Sequence, residues 1–327
     1  MKKKLNSAFL ISLDFELFWG VFDSRGNEYY PNIEEVHRVV PRLLALFEKY
    51  NVGCTWATVG ALFAKNKKEY MEYAPFLRPS YVDRKYSSYE FIEREDNIID
   101  KFFFSPDLID LILDTPRQEL ASHSYSHYYA LEPGQKPEEF RQDLEACISI
   151  AKNYGANLKS FVFPRNQFDT EYLSICKDLG FSSYRGNPSH WAYKAASRKN
   201  ESAIKRAFRL IDTYVPLSGS LAYEFSCDRD DGILNIPASL FLRPYSRKLK
   251  LFEKFKMSRI KYSMRHAAKS NKIFHLWWHP HNFSSNQEEN FYQLEQILKY
   301  FKYLESEYGM KSMTMNEAYL KVRGLDV

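Results

Sequence analysis

Apolar runs and amphipathic segments alternate along most of this 327-residue chain. Apolar runs of strand character occur at 8–13, 161–163 and 273–278, and polar residues follow each run, directly or after one proline. Between the runs, apolar residues recur at helical spacing. This spacing predicts helices at 32–50, 105–113, 137–154, 170–179 and 288–308. Strands separated by helices are typical of a parallel α/β architecture.

The first apolar run ends in two acids, Asp14 and Glu16. Residues two apart on a strand point to the same side, so the two carboxylates are expected to project together. Two buried acids repel each other unless a cation or a proton lies between them. A solvated strand end accounts for the same pattern, and the residues alone leave both interpretations open.

His123 and His127 are separated by three residues in a chain that has eight histidines. If this segment is helical, the two imidazoles lie on one face and can bind the same metal ion. The alternative is that both rings only form hydrogen bonds within a turn rich in Ser and Tyr. An isolated H-x-x-x-H pattern does not decide between these interpretations.

Residues 272–283 contain three histidines and two tryptophans. The run 273–278 predicts a buried strand that ends before Pro280, because proline cannot donate to the ladder. A histidine at the exit of such a strand is well placed for general acid or base chemistry, and His279 and His281 both qualify. His275 lies within the run and is expected in the aromatic core. Arg165 follows the run at 161–163 in the same way, although most such arginines are surface residues.

Together, these four segments resemble the motifs of the polysaccharide deacetylase family, also called the NodB-homology or carbohydrate esterase family 4 domain. The matching segments are 12–16, 122–127, 163–166 and 276–279. The resemblance covers about 9–283 and implies a distorted, incomplete (β/α) barrel with its catalytic residues at the carboxyl ends of the strands. Two departures stand out: one residue separates Asp14 from Glu16, and the third motif lacks the usual Pro-Tyr turn.

The resemblance implies that Glu16, His123 and His127 bind one divalent metal ion. Three protein ligands with one open position are typical of hydrolytic zinc, so we expect Zn²⁺, with Co²⁺, Ni²⁺ or Mn²⁺ as alternatives. Asp14 is expected to be the base and His279 the proton donor, with His281 as a competing donor. Arg165 is expected to orient Asp14.

Substrate contacts are expected from the aromatic and histidine side chains beside the motifs. These are Trp19, Tyr125, Trp278 and His281. Residues 184–191 follow another strand-like run and can also face the substrate.

The function implied by the resemblance is hydrolysis of an N-acetyl group on an amino sugar in a glycan or glycan precursor. We expect a carbohydrate or a nucleotide- or lipid-linked sugar as substrate. One alternative is hydrolysis of a small non-sugar amide, as in allantoinase-like members of the same fold. Another is a non-catalytic relative that only binds glycans.

Composition limits the remaining classes of function. A net charge of +5 is mild for this length, and no nucleic-acid recognition motif occurs. No run reaches the ~18 apolar residues of a membrane span. Residues 1–4 and the apolar run after them imitate a signal peptide, but cleavage there would remove both acids. The four scattered cysteines suit a reducing compartment. They are Cys54, Cys147, Cys176 and Cys227.

We therefore expect a cytoplasmic protein with a single catalytic domain over 1–327, with its oligomeric state left open. A Tyr-rich insertion at about 65–101 either lines a substrate groove or packs as an ordinary loop. Residues 247–272 carry ten basic residues and one acid around an apolar face. This pattern predicts either peripheral contact with the inner face of a membrane or an ordinary barrel helix with solvated bases.

Overall fold

The computed structural model describes residues 7–95, 98–225 and 232–326. Its nine described strands are β1 (Ala8–Phe15), β2 (Cys54–Thr58), β3 (Gln118–Ser122), β4 (Ser160–Phe161), β5 (Ser183–Tyr184), β6 (Leu234–Asn235), β7 (Leu240–Phe241), β8 (Ile273–Trp278) and β9 (Lys311–Met313). Eleven α-helices lie in the same residues: α1 (Tyr30–Glu34), α2 (Val36–Tyr50), α3 (Lys67–Tyr73), α4 (Ser88–Arg94), α5 (Pro106–Asp114), α6 (Pro137–Asn153), α7 (Thr170–Asp178), α8 (Ala203–Asp212), α9 (Glu253–Ser270), α10 (Gln287–Tyr308) and α11 (Met315–Arg323).

Eight strands form one curled sheet in the order β6-β5-β4-β3-β2-β1-β8-β7, and β9 pairs with β1. The paired strands are all parallel. Their carboxyl ends therefore share one edge of the sheet. With β6 and β7 at its two open ends, this half-barrel confirms the predicted incomplete (β/α) barrel.

The central strand β1 is buried along its whole length. Its neighbours β2 and β8 pair with it, and helices cover the sheet, so an unbroken apolar run is the expected sequence for this strand. His275 on β8 lies in this core, as predicted, with its Nε2 2.8 Å from Ser12 Oγ. Burial, reinforced by the nearby Arg185, lowers the pKa of His275 to about 3, so the ring is neutral.

The predicted helices are present with ends shifted by at most one or two residues, with one exception. The helix predicted at 32–50 is divided by Glu35 into α1 and α2. On α2, the apolar residues at helical spacing are the buried ones, including Val36, Val40 and Phe47. Because one face of the helix is buried, the apolar pattern in the sequence predicted this helix correctly.

The Tyr-rich insertion forms α3, α4 and short turns whose rings pack into the protein. Tyr70 is buried and stacks on Tyr125 with ring centroids 5.1 Å apart and planes 2° from parallel. Tyr89 also stacks on Tyr70, with ring centroids 5.8 Å apart. For these two rings the packing interpretation is correct, and they are not free to stack on a sugar.

Cys54, Cys147 and Cys176 are buried and free, so these three cysteines are core residues. Cys227 and the basic residues at 1–4 lie outside the described residues. Among the helices that are described, none is long and apolar enough to cross a membrane.

Candidate metal centre and active site

The motif residues converge where the strands end at the carboxyl edge of the sheet. Asp14 lies in β1 and Glu16 follows it, while His123 follows β3 directly. Arg185 and His279 come directly after β5 and β8. Four segments that are far apart in sequence therefore meet because parallel strands place their ends together.

Glu16, His123 and His127 form a buried group of three potential metal ligands. Glu16 Oε2 lies 3.1 Å from His127 Nε2 and 3.5 Å from His123 Nε2. Tetrahedral zinc with bonds of about 2.0–2.1 Å requires about 3.3 Å between ligand atoms. The two Glu16 separations are close to this value, and all three ligand atoms lie within 4.8 Å of one another, so the group suits a divalent ion of this size.

The protonation of His123 also suits metal binding. Its Nδ1 lies 2.7 Å from the carbonyl oxygen of Val162. A carbonyl can only accept a hydrogen bond, so Nδ1 carries the proton, and Nε2 presents its lone pair to the centre of the group. His127 Nδ1 lies 3.2 Å from the Tyr129 hydroxyl.

The segment that carries the two histidines is a tight loop and not the helix on which their spacing was interpreted. Ser124 and His127 both have positive φ, 61° and 60°. The buried carboxylate of Asp143 on α6 holds the loop, accepting hydrogen bonds from the backbone N–H groups of Tyr125 (2.7 Å) and Ser126 (3.4 Å) and from the Ser126 hydroxyl. The rings of His123 and His127 are therefore brought together by the turn of this loop and not by a helix, and their centroids are 5.0 Å apart.

Gly60 makes the close approach of this loop to β2 feasible. The backbone N–H of Gly60 donates to the carbonyl of Ser124 at 2.8 Å. A Cβ atom at Gly60 would lie 2.7 Å from the ring of Tyr125 and 3.0 Å from its Cα. A larger residue would therefore displace the loop that carries the histidines.

Asp14 is held by Arg185, which is fully buried. The guanidinium donates to both carboxylate oxygens, at 2.6 Å and 2.8 Å, and also to Ser12 Oγ and Asn166 Oδ1. Burial alone would raise the pKa of Asp14, but Arg185, followed by His123 and His279, outweighs burial and lowers it. Asp14 is therefore an ionised carboxylate in a fixed orientation.

The expectation that Arg165 orients Asp14 is wrong, because Arg165 points elsewhere. Its guanidinium pairs with Asp23, lies 3.6 Å from Glu132 and covers the ring of Tyr129 at 3.8 Å. Arg185 has the predicted role instead. The signal for it was present in the sequence, because Arg185 directly follows a strand-like run, as the other motif residues do.

Glu16 is close to three imidazoles. Besides the two ligand histidines, His279 Nε2 lies 3.6 Å from Glu16 Oε1 and 3.6 Å from Asp14 Oδ2. Burial would raise the pKa of Glu16, but the neighbouring imidazoles, His279 first and then His123 and His127, hold it well below its usual value.

His281 packs against His279. Among the contacts of the described residues, it has none with the carboxylates of Asp14 and Glu16. The two rings stack with centroids 5.0 Å apart and planes 12° from parallel. Burial, together with the neighbouring His279, lowers the pKa of His281 to about 3. At neutral pH the ring is therefore uncharged and has no extra proton to donate.

Three of the four predicted substrate contacts are core residues. Trp19 is buried and donates its indole N–H to the carbonyl of Phe103 at 2.6 Å. Tyr125 is buried and donates to the carbonyl of Tyr70 at 2.6 Å. Trp278 is buried and stacks on Phe283. These predictions are wrong because the aromatic residues next to the motifs pack into the hydrophobic core and do not line the cleft where a substrate would bind.

The tryptophan that reaches the open side of the site is Trp277. Side chains alternate along a strand, so Trp277 and Trp278 on β8 point to opposite faces. Trp277 lies under the Arg185 guanidinium, whose carbon is 4.4 Å from the ring centroid. It lines a cavity of about 310 Å³ together with His279, Asn166, Phe241 and Arg165.

A model of the family described as polysaccharide deacetylase matches residues 22–184 of the sequence. The chain belongs to the polysaccharide deacetylase family. The matched range of this deacetylase domain includes His123 and His127, while Asp14, Glu16, Arg185 and His279 lie outside it. The structure brings both sets into one site.

Solved structures share the deacetylase fold. A putative polysaccharide deacetylase from Mycobacterium smegmatis has 12% identity and a TM-score of 0.62, covering 100% of this chain and 94% of its own. A probable polysaccharide deacetylase from Pseudomonas aeruginosa PAO1 has 12% identity and a TM-score of 0.58, covering 97% and 90%. PuuE allantoinase has 11% identity and a TM-score of 0.57, covering 98% and 91%. At sequence identities of 11–12%, the similarity to these structures establishes the fold alone. No curated protein matches the sequence.

Proposed function

We propose that this protein is a metal-dependent hydrolase that removes an N-acetyl group from an amino sugar. The observation that carries the proposal is the position of the Glu16–His123–His127 group beside the Asp14–Arg185 pair and His279, all at one edge of the sheet. A group of ligands alone would support only metal binding. A fixed carboxylate and an imidazole beside it supply the base and the acid that amide hydrolysis needs.

The ligands proposed for the metal are Glu16, His123 and His127. A divalent ion bound by them would lower the pKa of a water molecule and polarise the amide carbonyl. The mixed nitrogen and oxygen donors suit Zn²⁺, and also Co²⁺, Ni²⁺ or Mn²⁺.

Asp14 is proposed to take the proton from the attacking water. Its pKa is lowered, so it is ionised and ready to accept a proton at neutral pH. Arg185 acts as a positioning residue: it fixes both carboxylate oxygens, so that proton transfer does not require reorientation of Asp14.

His279 is proposed to protonate the departing amine. Its Nδ1 lies 3.1 Å from the side-chain oxygen of Asn282, which orients the ring so that Nε2 points toward Asp14 and Glu16. The low pKa of His281 and its position behind His279 support His279 as the donor. We expect His279→Ala to cost more turnover than His281→Ala.

The substrate is proposed to be an N-acetylated sugar in a glycan or in a nucleotide- or lipid-linked precursor, within the cytoplasm. The decisive experiment measures acetate release from a panel of free, nucleotide-linked and lipid-linked N-acetyl sugars, with metal analysis of the same sample. Allantoin is included, because ring opening of allantoin without acetate release would favour small-amide hydrolysis. A sample that holds the metal but hydrolyses none of these compounds would contradict the proposal.

A further inference from the structure

The cavity beside His279 has an unusual distribution of charge. Five cationic side chains line it against one carboxylate, that of Glu201. The cations are Arg165, Lys194, Arg209, Arg243 and Lys256. A volume of about 310 Å³ is at the lower end for small-molecule sites and is enough for a monosaccharide.

Three of the five cations are neutralised by carboxylates. Arg165 pairs with Asp23, Arg209 lies 2.6 Å from Glu201, and Lys256 lies 2.6 Å from Glu253. Among the described residues, Arg243 and Lys194 have no carboxylate within ion-pair distance. The cavity therefore retains positive charge that the protein does not compensate.

Arg243 is the cation whose position is fixed by the sheet. Residues 240 and 241 of β7 pair with 276 and 277 of β8. The backbone N–H of Leu242 also donates to the carbonyl of Trp277 at 2.8 Å, and Arg243 follows Leu242 and lines the same cavity as His279. The Arg243 backbone N–H donates to the carbonyl of Phe241 at 2.9 Å, which holds the residue at this strand end.

The Arg243 side chain is half-buried, and its Nε has no hydrogen-bond partner in the described structure. Burial lowers the pKa of this guanidinium. Placing a cation in such a site is unfavourable unless an anion accompanies it. An oxyanion that enters the cavity would supply both the missing charge and the missing hydrogen-bond acceptor.

We propose that Arg243, assisted by the exposed Lys194, binds a phosphate or carboxylate group carried by the acylated sugar whose amide lies at His279. Phe241 and Trp277 provide an apolar wall against which the sugar ring can lie between the two ends. The inference rests on the proposed function for the identity of the sugar, but the anion subsite itself does not depend on turnover. It narrows the substrate class from N-acetyl sugars to negatively charged ones.

The test measures binding by calorimetry to chelator-treated protein, which prevents metal-dependent turnover. The probes are N-acetylglucosamine 1-phosphate, N-acetylmuramic acid and neutral methyl N-acetylglucosaminide, which separate phosphate, carboxylate and no charge. A charge-assisted contact should make at least one anionic probe bind about 10- to 100-fold more tightly than the neutral one. Arg243→Gln should remove this preference.

The matched control is Arg247→Gln, which removes the same charge from an exposed position outside the cavity and should leave the preference intact. Equal binding of the charged and neutral probes, or an unchanged preference in Arg243→Gln, would overturn the subsite. If Arg243→Gln does not fold, Lys194→Gln at its exposed position must weaken binding of the anion. Retained anion binding without acetate release from any sugar would instead overturn the proposed deacetylase function.

A second inference concerns the surface formed by α8 and the start of α9. Nine of the nineteen large hydrophobic residues that are exposed in the described structure fall within 204–217 and 251–262. They are Ile204, Leu210, Ile211, Val215, Leu217, Leu251, Phe252, Phe255 and Tyr262. The rings of Tyr214 and Phe252, 6.0 Å apart, join the two segments into one surface, here called the α8–α9 face.

The charges on the α8–α9 face have one sign. Its two acids, Asp212 and Glu253, are buried beside Arg259 and Lys256. Within 204–217 and 251–262 the exposed charged residues are Arg206 and Lys254, and the exposed Arg247, Lys248 and Lys250 come directly before the second segment. Glu288 and Glu289 of α10 lie beside Lys254 and Lys261, so the cations outnumber the acids around the exposed apolar side chains. Exposed apolar side chains with an excess of cations match an anionic lipid surface.

Most of the basic segment 247–272 agrees with the second alternative, an ordinary barrel helix. Ile260, Met264 and Ala267 on its apolar face are buried, so this part of α9 packs inward. The exposed apolar residues lie at its start, where Leu251 is 80% exposed and Phe252 is 50% exposed. Contact with lipid would therefore involve the start of α9 and α8, and not the whole segment.

We infer that the α8–α9 face binds the surface of an anionic lipid bilayer. The test is co-sedimentation with phosphatidylglycerol vesicles and with neutral phosphatidylcholine vesicles at low and high salt. Binding should be selective for phosphatidylglycerol, weaken at high salt, and be lost in Leu251→Glu/Phe252→Glu. Phe76→Glu, at a residue 95% exposed outside this face, is the control and should bind as the unmodified protein does.

Failure to bind phosphatidylglycerol at low salt would overturn the inference. The inference would also fail if the protein binds no vesicles but forms a dimer in solution that Leu251→Glu/Phe252→Glu abolishes. In that case a second copy of the chain, and not a bilayer, covers the α8–α9 face. Sedimentation equilibrium of the same variants distinguishes these outcomes.

Discussion

The Arg185–Asp14 pair offers the sharpest test of the site, because the sequence pointed to a different arginine. Arg185 is fully buried and donates four hydrogen bonds, two of them to Asp14. Arg185→Gln leaves the Asp14 carboxylate buried without its cation. Removing one partner of a buried ion pair costs about 3–5 kcal/mol of stability, and we expect a loss of this size near neutral pH.

The loss should depend on pH in a direction that follows from Asp14. In the unmodified protein the lowered pKa of Asp14 contributes stability above its unfolded value of 3.8, and this contribution is lost as the pH falls through the folded value. Without Arg185, burial raises the pKa instead. The destabilisation caused by Arg185→Gln should therefore be largest near neutral pH and shrink toward pH 3.

The assay is a double-mutant cycle by urea unfolding in chelator, so that metal binding does not contribute. The single variants are Arg185→Gln and Asp14→Asn, and their combination removes both charges. Because the double variant no longer buries an unpaired carboxylate, its loss should be smaller than the sum by roughly 1–3 kcal/mol.

Arg165→Gln provides the matched control. Its guanidinium pairs with Asp23 and Glu132, so its loss should add to that of Asp14→Asn without coupling. Coupling of Asp14 to Arg165 in place of Arg185, or strict additivity for Arg185, would refute the assigned geometry.

Four further outcomes are expected. His123→Ala should abolish retention of the metal after dialysis, measured by mass spectrometry, because two ligands hold a hydrolytic ion poorly; full occupancy would exclude His123 as a ligand. Glu16→Gln should also weaken metal binding, whereas Asp14→Asn should keep the metal and lose turnover. The reverse result would mean that Asp14 is the metal ligand and Glu16 is the base. His279→Ala should lower kcat by ~10²–10⁴-fold with metal content intact, the range for a lost general acid. Finally, His275 has a folded pKa of about 3 against 6.5 unfolded, so stability should fall with decreasing pH between these values. His275→Gln should reduce the slope of unfolding free energy by up to about 1.4 kcal/mol per pH unit between pH 4.5 and 6, and an unchanged slope would contradict a neutral buried ring.

Sequence patterns predicted the parts of the fold that repeat a simple period. Helices such as α2 bury one face, and β1 and β8 are mostly apolar runs, so the sequence indicated both kinds of element. The strands β4 to β7 have only two residues each and give almost no periodic signal. Their position is set by pairing with neighbours, which the sequence does not display.

The residues at the site were predictable where chemistry restricts the choice of side chain. Protein ligands of zinc come from a few side-chain types, chiefly carboxylate, imidazole and thiolate, and the prediction of Glu16, His123 and His127 uses that restriction. Substrate contacts have no such restriction, because an aromatic ring serves the core as well as a sugar. Trp277 and Trp278 are adjacent on β8 and point to opposite faces of the sheet. An error of one residue in the predicted strand register exchanges the face assigned to each.

The difference between Arg165 and Arg185 shows why charge pairs needed the structure. Both arginines follow strand-like segments, those of the neighbouring strands β4 and β5, so sequence context does not favour Arg185 over Arg165. What separates them is the backbone after each strand. Arg165 adopts φ 55° and turns its side chain away toward Asp23, while Arg185 continues into the sheet edge and meets Asp14 across it. The same reasoning applies to Arg243, which follows β7: its sequence context is ordinary, and only the fold places it in the same cavity as His279. Function in this barrel therefore depends on which strand ends face each other.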